Sequence, residues 1–291
     1  MKILVFGANG MLGHKLVQRL GSNFDVFGTI RGTFESIEKF GIFKPELIIE
    51  HVSAQDISSI EAAIQTAKPD VVINAIGIVK QLPIAKDVIA TLEVNSIFPH
   101  RLADFSQKYG FRLVTISTDC VFDGAKGNYL ETDITNATDL YGRSKALGEV
   151  TSENCITLRT SIIGRELGDS HSLIDWFLSN RGGRVKGFTH AIYSGFPTVV
   201  FADIIASLII DQPQLRGLYQ VASEPINKFE LLTLVNAAFG AKITIEPSAE
   251  LTIDRSLNCG KFVDATGLTP MSWPVMVDLM ASDSAISYET E

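Results

Sequence analysis

The opening run Ile3-Leu4-Val5-Phe6-Gly7-Ala8-Asn9-Gly10-Met11-Leu12-Gly13 confines the fold more than any other stretch, because an apolar segment leads directly into glycines spaced G-x-x-G-x-x-G. This order predicts strand, tight turn and helix. Gly7 and Gly10 let the backbone turn and approach a pyrophosphate, Gly13 lets the helix pack close to the strand, and the helix N-terminus offers free N–H groups to phosphates. A cradle of Gly7, Asn9, Gly10, Met11, Leu12 and Gly13 is therefore expected to hold a dinucleotide. Leu12, Leu16 and Leu20 continue at helical spacing as the buried stripe. A glycine-rich turn in another α/β protein is the competing explanation; the position right after a strand and before an amphipathic helix argues against it.

Other strand-like runs follow at Phe24–Ile30, Leu47–Glu50, Asp70–Ile76, Phe111–Ser117 and Ile156–Arg159, with helical stretches between most of them. Such alternation predicts an α/β fold, a Rossmann-type doubly wound parallel sheet covered on both faces. A long amphipathic helix is expected from about Ile89 to Tyr109, with Pro99 forcing a kink or a late start. Beyond Arg159, glycines and prolines break the rhythm into shorter elements. The expected division is a Rossmann domain over 1–160 with a return segment at about 188–215, and a smaller substrate-binding part over about 161–187 and 216–291.

The 291 residues carry 25 Lys plus Arg against 33 Asp plus Glu, a net charge of -8 with no basic tract, which argues against nucleic acid as a partner. The apolar stretches are interrupted well short of a membrane span and the start shows no cleavable signal pattern, so a cytoplasmic protein with no membrane partner is expected. Cys120, Cys155 and Cys259 show neither disulfide nor metal-ligand spacing and are expected to be thiols. His14, His51, His100, His171 and His190 form no ligand set, and no metal site is read. A homodimer is left open.

Tyr141-Gly142-Arg143-Ser144-Lys145 adds chemistry, since positions i and i+4 share one helix face and set a phenol beside an ammonium. A phenol is a weak acid near neutral pH, and a neighbouring cation that stabilises the phenolate makes it a usable proton donor. Tyr-x-x-x-Lys alone ordinarily just decorates a solvated helix face; its pairing with a nucleotide cradle gives it weight. The second strand ends Gly28-Thr29-Ile30-Arg31 without the acidic residue that would bind an NAD ribose, so NADP(H) is favoured, with Arg31 as the 2′-phosphate partner.

Together these motifs resemble the extended short-chain dehydrogenase/reductases, and within them the dTDP-4-dehydrorhamnose reductase group. The resemblance covers most of the chain. It also rests on Asp56-Ile57, Asn74-Ala75-Ile76-Gly77, Ser117-Thr118-Asp119 with Val121-Phe122-Asp123-Gly124, Leu158-Arg159-Thr160-Ser161, Gly195-Phe196-Pro197-Thr198 and Arg255-Ser256-Leu257-Asn258. It implies a catalytic set of Thr118, Tyr141 and Lys145, with Asp119 as a substrate or orienting contact. Asp56 and Ile57 would meet the adenine, Ala75, Ile76 and Gly77 would run along the ribose and pyrophosphate, and Lys145 would also bind the nicotinamide ribose. Thr118, Asp119, Ser161, Lys80 and Arg255 would face a nucleotide-sugar substrate, the two cations toward its diphosphate. The implied reaction is NADPH-dependent reduction of the C4 ketone of a nucleotide-activated 6-deoxysugar, first of all dTDP-4-dehydrorhamnose, for cell-surface polysaccharide.

Structural explanations compete at several of these positions: Asp56 as a helix N-cap, Asn95 as a backbone linker, Lys80 and Arg255 as solvated charges. Two departures concern the sugar pocket: Cys120 stands where that group usually carries tyrosine, and Ile162 where it usually carries tryptophan. The alternatives are an epimerase or reductase of another nucleotide sugar, such as a UDP-linked aminosugar, and an NADP-binding regulatory subunit of methionine adenosyltransferase.

Overall fold

The computed structural model describes residues 1–168, 172–283 and 288, so His171 lies outside the described residues. Among the described residues, twelve strands form three sheets. They are β1 (Lys2–Phe6), β2 (Asp25–Thr29), β3 (Ile48–Ile49), β4 (Val71–Asn74), β5 (Arg112–Thr118), β6 (Cys155–Thr160), β7 (Ile162–Ile163), β8 (Arg184–Tyr193), β9 (Phe196–Pro197), β10 (Gly217–Gln220), β11 (Ile226–Asn227) and β12 (Thr244–Asp254). The helices are α1 (Gly13–Leu20), α2 (Glu35–Glu38), α3 (Ile57–Ala67), α4 (Val88–Leu92), α5 (Phe98–Tyr109), α6 (Leu140–Leu147), α7 (Leu173–Ser179), α8 (Thr198–Asp211), α9 (Lys228–Ala238), α10 (Gly260–Thr266) and α11 (Trp273–Ser282).

The large sheet has seven strands in the order β10-β6-β5-β4-β1-β2-β3, all parallel. Strand periodicity explains its two covered faces. In β1, Ile3 and Val5 enter one core with Leu16, Leu20, Phe201 and Ile205, while Leu4 and Phe6 enter the other with Ile60, Ile64, Phe98 and Leu102. All five strand runs expected before Arg159 are strands of this sheet. The order reverses between β1 and β4, the crevice where doubly wound folds bind ligands.

The C-terminal half contributes to both architectures. Strand β10, in the stretch assigned from sequence to substrate binding, is the edge of the large sheet. Residues 188–193, assigned to the return segment, run instead in a small sheet of order β11-β8-β12. Helix α8 from the same segment packs on α1. No described helix is long and apolar enough to cross a membrane.

The glycine turn is built as its spacing requires. Gly7 has φ of 85°, and Gly10 N–H donates to Gly7 O at 3.0 Å. Any Cβ at position 13 would lie 1.9 Å from Gly7 O, so only glycine lets α1 start this close to β1.

Pro99 resolves the long helix differently from a kink. It has no N–H to donate to Asn95 O, and the chain opens one wide π turn over Glu93–Ile97, closed by Phe98 N–H to Glu93 O. Helices α4 and α5 flank that turn. Asn95 is thereby presented to its surroundings from the middle of a helical run.

Gly13→Ala should destabilise the fold by about 1–3 kcal/mol, the usual cost of forcing extra volume into a packed contact. Urea unfolding followed by far-UV circular dichroism measures it, and wild-type stability in the variant would contradict the close approach.

Candidate active site

A cleft of about 480 Å³ opens at the C-terminal ends of β1, β4, β5 and β6. Its lining brings together Gly10, Met11 and Leu12 from the glycine turn, Ala75, Ile76 and Gly77 after β4, Thr118 and Asp119 at the end of β5, Tyr141 and Lys145 on α6, Ser161, and Lys80. Gly7 and Gly13 form the turn beneath it, and Asn9 is exposed beside Gly10. Arg31 is exposed just past the end of β2, and Asp56 and Ile57 are exposed at the start of α3. None of these three lines the cleft. Arg255 does not reach it either: its Nε donates to Phe122 O at 2.9 Å and its Nη2 to Asp123 O at 3.5 Å, bracing the turn after β5.

Helix α6 owes its position to contacts at both ends. Asp139 caps it, Oδ1 accepting from Gly142 N–H at 2.8 Å, while Asp139 Oδ2 takes Lys80 Nζ at 2.5 Å. Lys80 is thus ion-paired, with its ammonium 5.6 Å from the Tyr141 ring centroid. A Cβ at Gly142 would fall 2.1 Å from Cys120 O, so α6 lies directly on the Asp119–Val121 turn. Asn95, delivered by the π turn, accepts from Ile78 N–H at 2.9 Å and donates to Ile78 O at 3.0 Å and Ser144 Oγ at 3.1 Å. The linker function weighed for Asn95 is what the structure shows, and it joins the loop after β4 to the helix carrying Tyr141.

Thr118 caps the turn after β5, its Oγ1 accepting from Cys120 N–H at 3.1 Å and donating to Asp119 Oδ1 at 3.0 Å. Asp119 is buried, and desolvation raises its carboxyl above the usual range, with the Thr118 hydrogen bond opposing. Tyr141 is raised well above an ordinary phenol, first by burial and then by the Cys120 thiol, with hydrogen bonding from Thr118 acting the other way. Burial lowers Lys145 to about 8, opposed by Glu149. Tyr141 and Lys145 line the same cleft from one face of α6, and Lys145 Nζ donates to Ile116 O at 2.6 Å. Behind it, Arg159 Nε and Nη2 each reach a Glu149 oxygen at 2.7 Å, and Ser117 Oγ donates to Glu149 Oε1 at 2.7 Å.

Asp56 caps α3, its Oδ1 accepting from Ser58 N–H at 2.9 Å. Cys120 lines the cleft with a thiol pushed up to about 12 by burial and by Asp119. All three cysteines are free thiols. The cleft also holds Tyr193 and Lys228, which no sequence motif singled out. The available signal was slight: a lysine at the first position of a helix, where positive charge opposes the helix dipole.

The family model described as RmlD substrate binding domain matches residues 1–255. Over 236 residues the chain is 29% identical to the dTDP-4-dehydrorhamnose reductase of Aggregatibacter actinomycetemcomitans, covering 77% of this chain and 74% of that protein. Over 319 residues it is 24% identical to methionine adenosyltransferase 2 subunit beta of Xenopus tropicalis, covering 95% of this chain and 89% of that protein. The dTDP-4-dehydrorhamnose reductase of Bacillus anthracis str. Ames, solved in complex with NADP, shares the fold with a TM-score of 0.79 at 21% identity, over 98% of this chain and 100% of that one.

Glu149→Ala leaves the Arg159 guanidinium buried without its anion and should cost about 3–5 kcal/mol of stability. Thermal and urea unfolding report it; a loss below about 1 kcal/mol, the range of an exposed pair, would contradict the buried geometry.

Proposed function

The chain belongs to the RmlD substrate-binding domain family, and we propose that it is an NADPH-dependent reductase of the C4 ketone of a nucleotide-activated 6-deoxysugar. The observation that carries this reading is the convergence of Thr118, Tyr141 and Lys145 with the glycine turn in one cleft. The residues present fit the cofactor. Helix α1 begins without a side-chain cap or an acidic residue in its first turn, and the Met11 and Leu12 N–H groups meet no acceptor among the described residues. Such a terminus favours an anion.

The pyrophosphate would lie on Gly10, Met11 and Leu12, with Gly7 and Gly13 shaping the turn and Asn9 at its rim. Ala75, Ile76 and Gly77 would follow the ribose, and Asp56 and Ile57 the adenine, with Asp56 keeping its capping bond. Arg31 would take the 2′-phosphate. When bound, the reduced nicotinamide supplies the hydride. Tyr141 holds the proton destined for the developing alkoxide, and its burial keeps that proton in place through the neutral range. Lys145, one helical turn further on, stabilises the phenolate that remains and binds the nicotinamide ribose. Thr118 holds the carbonyl oxygen once its hydroxyl turns from Asp119. Ser161 and Lys80 flank the substrate, with Lys80 at the mouth toward the diphosphate. The substrate tried first is dTDP-4-dehydrorhamnose, and the setting is cytoplasmic synthesis of cell-surface polysaccharide.

The likeness to a methionine adenosyltransferase subunit favours a second reading, a regulatory NADP-binding subunit. The complete trio Thr118, Tyr141 and Lys145 supports the enzyme, since regulation alone does not require it.

NADPH absorbance should fall when the purified protein meets dTDP-4-dehydrorhamnose, and Tyr141→Phe should slow that turnover about 10²-fold or more with NADPH affinity little changed. Near-normal turnover in the variant would remove Tyr141 from the role. Product without net NADPH loss would point to an epimerase.

Arg31→Ala should weaken NADPH binding far more than NADH binding, as read by nicotinamide fluorescence titration. Equal losses for the two would rule out a 2′-phosphate contact.

A further inference from the structure

One wall of the cleft comes from the small sheet and carries two polar groups with no assigned work. Strand β11 runs antiparallel to β8 with Ile226 opposite Tyr193, and α9 begins two residues later with Lys228. The pairing sets Lys228 Nζ 4.1 Å from the centroid of the Tyr193 ring. Tyr193 is 4% exposed, and its hydroxyl lies beside the Ser161 side chain without a well-formed hydrogen bond to any described residue. A phenol can both donate and accept, so one neighbouring hydroxyl leaves it a further hydrogen bond to offer a ligand.

Lys228 is placed against its own electrostatics. It is the first residue of α9, where a cation opposes the helix dipole, and Asn227 already caps that helix through Glu230 N–H. Lys80 has Asp139 and Lys145 has Ile116 O, whereas Lys228 Nζ meets no oxygen acceptor among the described residues. Asp119 is its opposing charge in the cleft. The Asp119 carboxyl accepts from Thr118 Oγ1 at 3.0 Å and has the Cys120 thiol as a second donor, and its two oxygens still offer further lone-pair sites.

We propose that Tyr193, Lys228 and Asp119 form the sugar-recognition end of the cleft. Tyr193 and Lys228 donate to the ring hydroxyl next to the reacting carbonyl, and a remaining Asp119 lone pair accepts from that hydroxyl. One hydroxyl group accepts two hydrogen bonds and donates one, so the three protein groups match it in number and sense. This assignment rests on the nucleotide-sugar reductase reading of the same cleft. It makes the chain selective for a ketosugar that keeps this hydroxyl, because removing it would take away the one oxygen acceptor offered to the buried Lys228 ammonium and a bond each from Tyr193 and Asp119.

The test compares wild type, Y193F and K228M on the hydroxylated nucleotide ketosugar and on its analogue deoxygenated at the neighbouring ring carbon. Thermal unfolding and NADPH affinity are measured alongside. The expected result is a rise in KM of about 10-fold or more in each variant on the hydroxylated substrate, larger than any fall in kcat. On the deoxygenated analogue, variants and wild type should differ by less than about 3-fold. Unchanged KM in both variants, or equal losses on both substrates, would overturn the assignment while leaving the reductase reading intact. A wild type that binds the ketosugar without consuming NADPH, and loses that affinity in K228M, would overturn the reductase reading and keep the recognition. A wild type that binds no nucleotide sugar overturns both.

Discussion

The buried pair Glu149–Arg159 holds together the two elements on which the chemistry stands. Arg159 belongs to β6, Glu149 follows α6, and Ser117 of β5 donates to the same carboxylate. A bidentate pair of this kind adds little net stability over apolar packing of equal volume, because both charges must leave water. Its effect here is registry. The side chain that anchors the end of α6 also opposes the loss of the Lys145 proton, so the field at the ammonium and the position of the helix share one source. The Arg159 guanidinium lies 5.2 Å from the centroid of the Phe122 ring, which carries the restraint into the turn after β5.

Most of the large sheet was readable because its signals are local. Apolar strands, the glycine turn and the Tyr141–Lys145 spacing each depend on neighbours within a few residues, and all of them appear where expected. Pro99 was readable as a disturbance but not as a π turn, since its outcome depends on what the freed backbone can reach. Arg255 read as a substrate contact because its charge is visible in sequence, while the carbonyls of Phe122 and Asp123 that engage it are not. The carbonyl of Ile116, 29 residues earlier, which accepts from the Lys145 ammonium, was likewise out of reach of the sequence. Tyr193 and Lys228 were beyond sequence reading for the same reason: their proximity is created by the β8–β11 pairing.

The two sheets divide the demands placed on the cleft. The large sheet supplies groups whose positions suit a cofactor and a proton transfer, and it fixes them with glycine contacts too tight for any other residue. The small sheet supplies Tyr193 and Lys228 through a short pairing and the start of one helix. Differences in substrate among proteins of this fold can therefore arise on β8 and α9 without disturbing the glycine turn or α6.

Asn95 ties the loop after β4 to α6 through hydrogen bonds from a single side chain. In mechanical terms these two walls are one rigid jaw: neither can swing without breaking bonds inside the protein.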